Sequence, residues 1–160
     1  MATDKDLITI GRVETVSFPD ISIEGLHARI DTGAHTSAMW VSHTKVEDNR
    51  LAVVFLGPEH PMYTGKTYYF EEFTNTVVFS SNGHSEERFK IQMLVCIGGR
   101  RIRARFTLAD RSTQVYPVLI GRNVLKGKFV VDVAQGTPLL TEKDQRAKKL
   151  QSRLNQGEQS

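Results

Sequence analysis

The chain holds a single cysteine, Cys96, which excludes an internal disulfide or a thiolate metal cluster; in the apolar run MLVCI it reads as a small buried hydrophobe. No stretch approaches the roughly 20 apolar residues of a membrane-crossing helix. The start, MATDKDLITI, is acidic and has no apolar core, so neither a signal peptide nor a membrane span is expected, and a reducing cytoplasm is the expected setting. There is no His-Glu-x-x-His, and His27, His35, His43, His60 and His84 are scattered without a ligand pair at helical spacing. No metal is expected, although His35 and His43 could meet through the fold. Gly-x-x-x-x-Gly-Lys-Ser/Thr is missing too, and Gly98-Gly99 reads as a hairpin turn, so no nucleotide or other cofactor is expected. Of the net charge of +3, residues 141–160 supply +2, with five Lys/Arg against three Asp/Glu. The near-neutral body lacks an aromatic-interleaved basic face, which argues against nucleic acid as a partner.

Strand signals fill most of what remains. Residues 8–18 and 21–30 alternate apolar and polar positions on either side of the turn pair Pro19-Asp20. Residues 44–47 and 51–56 flank the polar tip Asp48-Asn49-Arg50, as in a hairpin. The next nine residues, GPEHPMYTG at 57–65, hold two prolines and two glycines and cannot form a regular element. Aromatic and β-branched residues favour strands at 66–73 and 76–79, and Asn82-Gly83 is the strongest short turn signal in the chain. From Phe89 to Ile97 and from Ile102 to Leu108 every second residue is apolar, which predicts a long hairpin about Gly98-Gly99 with one buried face. Its other face carries Arg101, Arg103 and Arg105, either a strip for an anionic substrate or a solvated sheet surface. A last strand is expected at 129–133. One domain is expected over residues 1–140, mostly β, a closed or nearly closed barrel with one short helix. The polar tail at 141–160 has only Leu150 and Leu154 at helical spacing and is at best a marginal, exposed helix.

The residues with chemical promise lie at 28–39, ARIDTGAHTSAM, where an apolar strand runs into Asp31-Thr32-Gly33 and then into small residues. Gly33 allows the backbone to turn closely enough for its amide to reach the Asp31 carboxylate, Thr32 offers a hydroxyl, and Ala34 adds no polar group. Asp and Gly are also ordinary turn residues, so Asp-Thr-Gly alone fits a surface turn. A second stretch, YPVLIGRNVLK at 116–126, reads as a buried strand, a close-approach glycine at Gly121 and a helix start through Arg122 and Asn123.

Together these two stretches resemble the retroviral-type aspartic proteases, or retropepsins, in which the second element packs under the Asp loop. With the Ile-Gly-Arg at 10–12 and LADRS at 108–112, residues 9–140 look like the bacterial family labelled ATP-dependent zinc proteases and regarded as retropepsin-like. The resemblance implies a retropepsin-like closed barrel and an aspartic endopeptidase with Asp31 as its catalytic carboxylate. It implies that Thr32, Gly33, Ala34, Gly121, Arg122 and Asn123 support the Asp loop. Neither the zinc nor the ATP of that label finds its motif here, and the ATP points instead to association with an ATP-grasp glutamate ligase.

Aspartic proteolysis needs two carboxylates around one water, because the group that takes the proton cannot also polarise the carbonyl. The sequence has one Asp-Thr-Gly, so a homodimer with Asp31 from each copy is expected. Ala34 cannot donate a hydrogen bond to the carboxylate, which predicts a pair titrating nearer neutrality than in acid-acting relatives. Viral retropepsins carry acidic residues just after Asp-Thr-Gly-Ala, whereas this chain has His35 and Thr36, so Arg122 needs another partner, with Asp110 and Asp132 as the candidates. Arg29, His35, Thr36 and Ser37 are the expected substrate-facing residues, and a rim with Arg29 and His35 favours an acidic, glutamate-rich peptide; His35 equally fits a solvated loop position. The competing reading is a non-catalytic dimerising module of the same fold that binds the ligase or its substrate.

Overall fold

The structure is a computed structural model that describes residues 6–79, 83–136, 151 and 153–155. In chain order the strands are β1 (Ile8–Ile10), β2 (Val13–Phe18), β3 (Ile23–Ile30), β4 (Ser37–Glu47), β5 (Arg50–Phe55) and β6 (Thr67–Phe70). They continue as β7 (Thr74–Phe79), β8 (Ser85–Ile97), β9 (Arg100–Ala109), β10 (Val118–Ile120), a one-turn helix α1 (Arg122–Leu125) and β11 (Phe129–Val131).

Six of these close on themselves in the order β10, β3, β2, β8, β9, β4 and back to β10. The closing strand is short, yet Val118 is paired on one side with Ala28 and on the other with Met39. Closure gives each of these six strands a partner on both sides, and the edges of the sheet fall on β6, which extends from β4 through β5, and on β7, which pairs with β8. The mostly β closed barrel expected from the sequence is therefore the observed fold. The alternation in β8 and β9 accounts for its interior: Phe89, Ile91, Met93, Val95 and Ile97 face Ile102, Ala104, Phe106 and Leu108, and all nine are buried. Phe18 meets Phe106 edge-on, with ring centroids 5.4 Å apart. Gly98 and Gly99 turn this hairpin with φ of 57° and 80°; at Gly98 a Cβ would lie 3.0 Å from the Phe129 ring, so space as well as backbone favours glycine.

Tertiary pairing redraws several boundaries. The first expected strand is split at Gly11-Arg12, because β1 leaves the barrel to pair in parallel with β11 while the Arg12 carbonyl accepts from Ile30 N at 2.9 Å. The strand after the Asp loop starts at Ser37, seven residues before the sequence pattern marks it, where it pairs with β9 and β10. Cys96 is half-buried on the outward face, opposite Ser17 and Arg101, and does not enter the core. Of the polar tail, residues 151 and 153–155 are helical and exposed; the rest of residues 141–160, and the proposed boundary at 140, fall outside the described residues.

The segment at 57–65, irregular as its prolines and glycines require, folds back as successive turns. His60 N donates to the Gly57 carbonyl and Tyr63 N to the His60 carbonyl. A Cβ at Gly57 would lie 2.5 Å from the Trp40 ring, so the segment lies flat against that side chain. The hairpin that stands off the barrel is β7–β8, in which residues 85–88 pair with β7 and lie beyond the β8–β9 register that begins at Phe89. Gly83, at φ 84°, belongs to its turn; Asn82 lies outside the described residues.

Candidate active site at the Asp31 loop

Strand alternation sorts the residues of β3 into two sets. Leu26, Ala28 and Ile30 are buried in the barrel, so His27 and Arg29 face outward, and Asp31 follows directly on the end of the strand, half-buried. In β10 and β4 the outward residues are Leu119, Ala38 and Trp40, with Leu119 in register with Arg29 on one side and Ala38 on the other. Asp31 therefore sits at one end of an outward surface floored by Leu119 and Ala38.

The loop holds its carboxylate from several directions. Asp31 N donates to the Ile120 carbonyl at 2.9 Å, which fixes the loop on the end of β10, and Ala34 N closes a turn on the Asp31 carbonyl at 3.3 Å. Gly33 N donates to Asp31 Oδ1 at 2.9 Å. Behind the loop the backbones approach so closely that a Cβ at Gly121 would lie 2.3 Å from the Thr36 carbonyl oxygen. Arg122 N and Asn123 N, the first amides of α1, donate to the carbonyls of Ala34 and His35 at 2.8 and 3.2 Å. The short helix thus uses its unsatisfied N-terminal donors to bind the Asp loop from below.

Ser37 is completely buried, and its hydroxyl accepts from Gly121 N at 2.9 Å while donating to Asn123 Oδ1 at 2.8 Å. Asn123 passes the chain on by donating from Nδ2 to the Arg105 carbonyl at 2.9 Å. This corrects the expectation that Ser37 faces substrate: both sides of its hydroxyl are committed to bracing. Thr36 and Ala34 are half-buried, while Arg29, Thr32 and His35 are exposed. Arg122 is exposed and pairs with neither proposed acid. Asp110 accepts from Ser112 N at 2.9 Å, and Asp132 accepts from Ala134 N and the Gln135 side chain. Hydrogen bonds from the Ser112 backbone and hydroxyl, with a further one from the Trp40 side chain, hold the Asp110 carboxyl below its ordinary value.

At the far end of the surface a cavity of about 510 Å³ opens between the 57–62 turns and the loop leading into β10, lined by His27, Trp40, His60, Met62 and Pro117. Burial, reinforced by His27, lowers the His60 pKa. In the same loop Arg111 donates from Nε to the Tyr116 carbonyl at 3.2 Å. Its guanidinium is half-buried, and burial followed by the charge of Arg29 pulls its pKa below the usual arginine value. The motifs do not nominate Arg111; its only sequence signal is a place inside LADRS. Among the described residues no three His, Cys, Asp or Glu side chains are grouped as a metal site requires, and no helix is long and apolar enough to cross a membrane.

A family model described as RimB-like, retropepsin-like aspartic endopeptidase RimB, matches residues 9–137. The chain belongs to the RimB-like family. This membership carries the retropepsin-like part of the resemblance and lends nothing to the zinc-protease label. Among curated proteins, a "Probable alpha-L-glutamate ligase" of Shewanella pealeana is 27% identical over 130 residues, covering 79% of this chain and 28% of that protein. A protein of the same name from Desulfotalea psychrophila is 26% identical over 131 residues, covering 78% of this chain and 28% of the relative. The chain thus spans less than a third of the length of these relatives. Among solved structures, a Legionella pneumophila protein of unknown function matches with a TM-score of 0.61 at 24% identity, over 79% of this chain and 94% of the other. That likeness speaks for the fold.

Proposed function

We propose that the protein is an aspartic endopeptidase that acts as a homodimer, with water activated between the Asp31 carboxylates of two copies and an acidic, glutamate-rich peptide as substrate. The observation that carries this reading is the mounting of Asp31: a half-buried carboxylate held by Gly33 N on one oxygen, on a loop braced by Gly121, Ser37 and Asn123. A surface turn would need none of that bracing. In the dimer one carboxylate, ionised, takes a proton from the water, while its protonated partner donates to the scissile carbonyl; two acids this close share one proton. The exposed Arg29 and His35 beside the loop favour acidic substrate, and the glutamate ligase name of the relatives accords with it. No sulfhydryl or metal ligand enters the scheme, so the enzyme is suited to a reducing cytoplasm.

A second reading has support in one observation. The relatives named as glutamate ligases contain this region as about a quarter of a longer chain, which fits a module that partners an ATP-grasp ligase or its substrate without cutting it. Asp31→Asn separates the two, since it keeps the shape and removes the charge. For the peptidase, cleavage of a glutamate-rich peptide falls about a thousandfold or more while the dimer, measured by sedimentation, persists. No cleavage by either form, with ligase or substrate binding unchanged, would leave the module.

A further inference from the structure

We propose that the cavity walled by Trp40, His60, Met62 and Pro117 is a distal substrate subsite, which takes an aromatic side chain two residues further along the peptide than the residue beside the cut bond. The proposal rests on the peptidase reading and adds to it a second recognition element, apolar and removed from the Asp loop. The cavity exists because β10 pairs with β3 only over residues 28–30. Towards the start of β3, at residues 25–27, no strand covers that side among the described residues, and the 57–62 turns stand across the gap. About 510 Å³ is left open, a volume in the range of sites that take organic ligands.

Register puts this cavity in line with the catalytic loop. Asp31 N is bound to the Ile120 carbonyl, and the next outward pair of residues is Leu119 with Ala38. Two residues further along both strands comes Pro117 with Trp40, joined by the bond from Trp40 N to the Pro117 carbonyl. Two residues of strand span about 7 Å, which is also the spacing of same-side side chains in an extended peptide. A peptide with one side chain over Leu119 and Ala38 therefore delivers its next same-side residue to the cavity. The walls select what enters. The Trp40 indole nitrogen is engaged by Asp110, and His60 Nδ1 accepts from Met62 N at 3.0 Å. Trp40 and His60 meet edge-on, an arrangement that a third ring extends, and the exposed Met62 thioether is a favourable neighbour for a ring edge. Glu59 puts a carboxylate in the same lining, which disfavours an acidic side chain there. The bland alternative is a gap left by the shortness of β10, with no occupant.

The test measures binding to the full chain carrying Asp31→Asn, so that nothing is cut, using fluorescent glutamate-rich peptides with Phe, Ala or Glu at one position that is moved along the sequence. At one position Phe is expected to bind about tenfold tighter than Ala, and Glu no tighter than Ala. In the unmutated protein, mass analysis of the products should place that position third from the cut bond, counting the residue beside the bond as first; a preferred position beside the bond overturns the assignment. Gln114→Trp fills the cavity and Met62→Ala removes the thioether, both from exposed side chains, and each should reduce the preference to about threefold or less. Should one of them fail to fold, the other decides. A preference that neither substitution changes overturns the subsite, as does no preference for Phe at any position, including no binding of any peptide. A sedimentation mass altered by Gln114→Trp with the preference intact assigns the cavity to contact between copies and overturns it too. A Phe preference without any Asp31-dependent cleavage would sink the peptidase reading and leave the cavity as a peptide site; cleavage indifferent to Phe or Ala would do the reverse.

Discussion

Gly121 and Ser37 show how much of the site lies in atoms that never touch a ligand. A methyl group at Gly121 would meet the Thr36 carbonyl at 2.3 Å, and backbone on both sides leaves it nowhere to go. Gly121→Ala should therefore cost about 3 kcal/mol, read as a lowered denaturant midpoint with an unchanged slope, and should weaken cleavage by shifting the Asp loop. Ser37→Ala deletes the acceptor of Gly121 N and the donor to Asn123 in a spot without water access, which should cost about 1–3 kcal/mol by the same measurement. Gly121 was legible in the sequence, because a glycine after an apolar run signals close approach. Ser37 was not. A serine six residues past an aspartate looks the same whether its hydroxyl faces a substrate or a buried amide 84 residues away.

Strands with one buried face declared themselves by alternation, and β8 and β9 kept the interior face that their pattern assigns. Segments without periodicity depended on what they land on. The 57–62 turns find the Trp40 ring and become a wall of the cavity, with the His60 ring edge-on to Trp40 at 6.2 Å between centroids. This packing has a pH signature. The folded pKa of His60 lies below the unfolded value of about 6.5, so folding favours the neutral ring and the unfolded chain binds more protons as pH falls. The stability this contributes is present above about pH 6.5 and is lost as the pH drops through the folded value. Thermal melts between about pH 5 and 8 should show a slope that His60→Gln flattens; a slope unchanged by that substitution would place the proton uptake elsewhere.

For the whole molecule the deciding feature is closure by three residues of β10, which tie β3 to β4 and put Asp31 over α1. Emptying the barrel centre should loosen every part at once: Phe106→Ala, at a fully buried ring, is expected to cost about 3–5 kcal/mol by chemical denaturation. If two copies complete the site, specific activity should fall on dilution in step with the sedimentation mass, and a strictly monomeric, active protein would contradict the shared carboxylate pair. With Ala34 in place of a hydroxyl donor, the pH profile of cleavage should peak nearer neutrality, and a maximum at or below about pH 3 would count against it.

Local chemistry was enough to establish a mostly β chain, the long hairpin about Gly98-Gly99, the one-turn helix after Gly121 and an aspartate on a tight loop, because period-2 burial, turn residues and close-approach glycines act over a few bonds. Which strands meet, the fully buried Ser37, the separation of Arg122 from Asp110 and Asp132, the turns folded on Trp40 and the anchoring of Arg111 on the Tyr116 carbonyl came from the folded barrel. Most of those contacts join residues well separated along the chain, and their energies exist only once the closed sheet has brought both partners to one place.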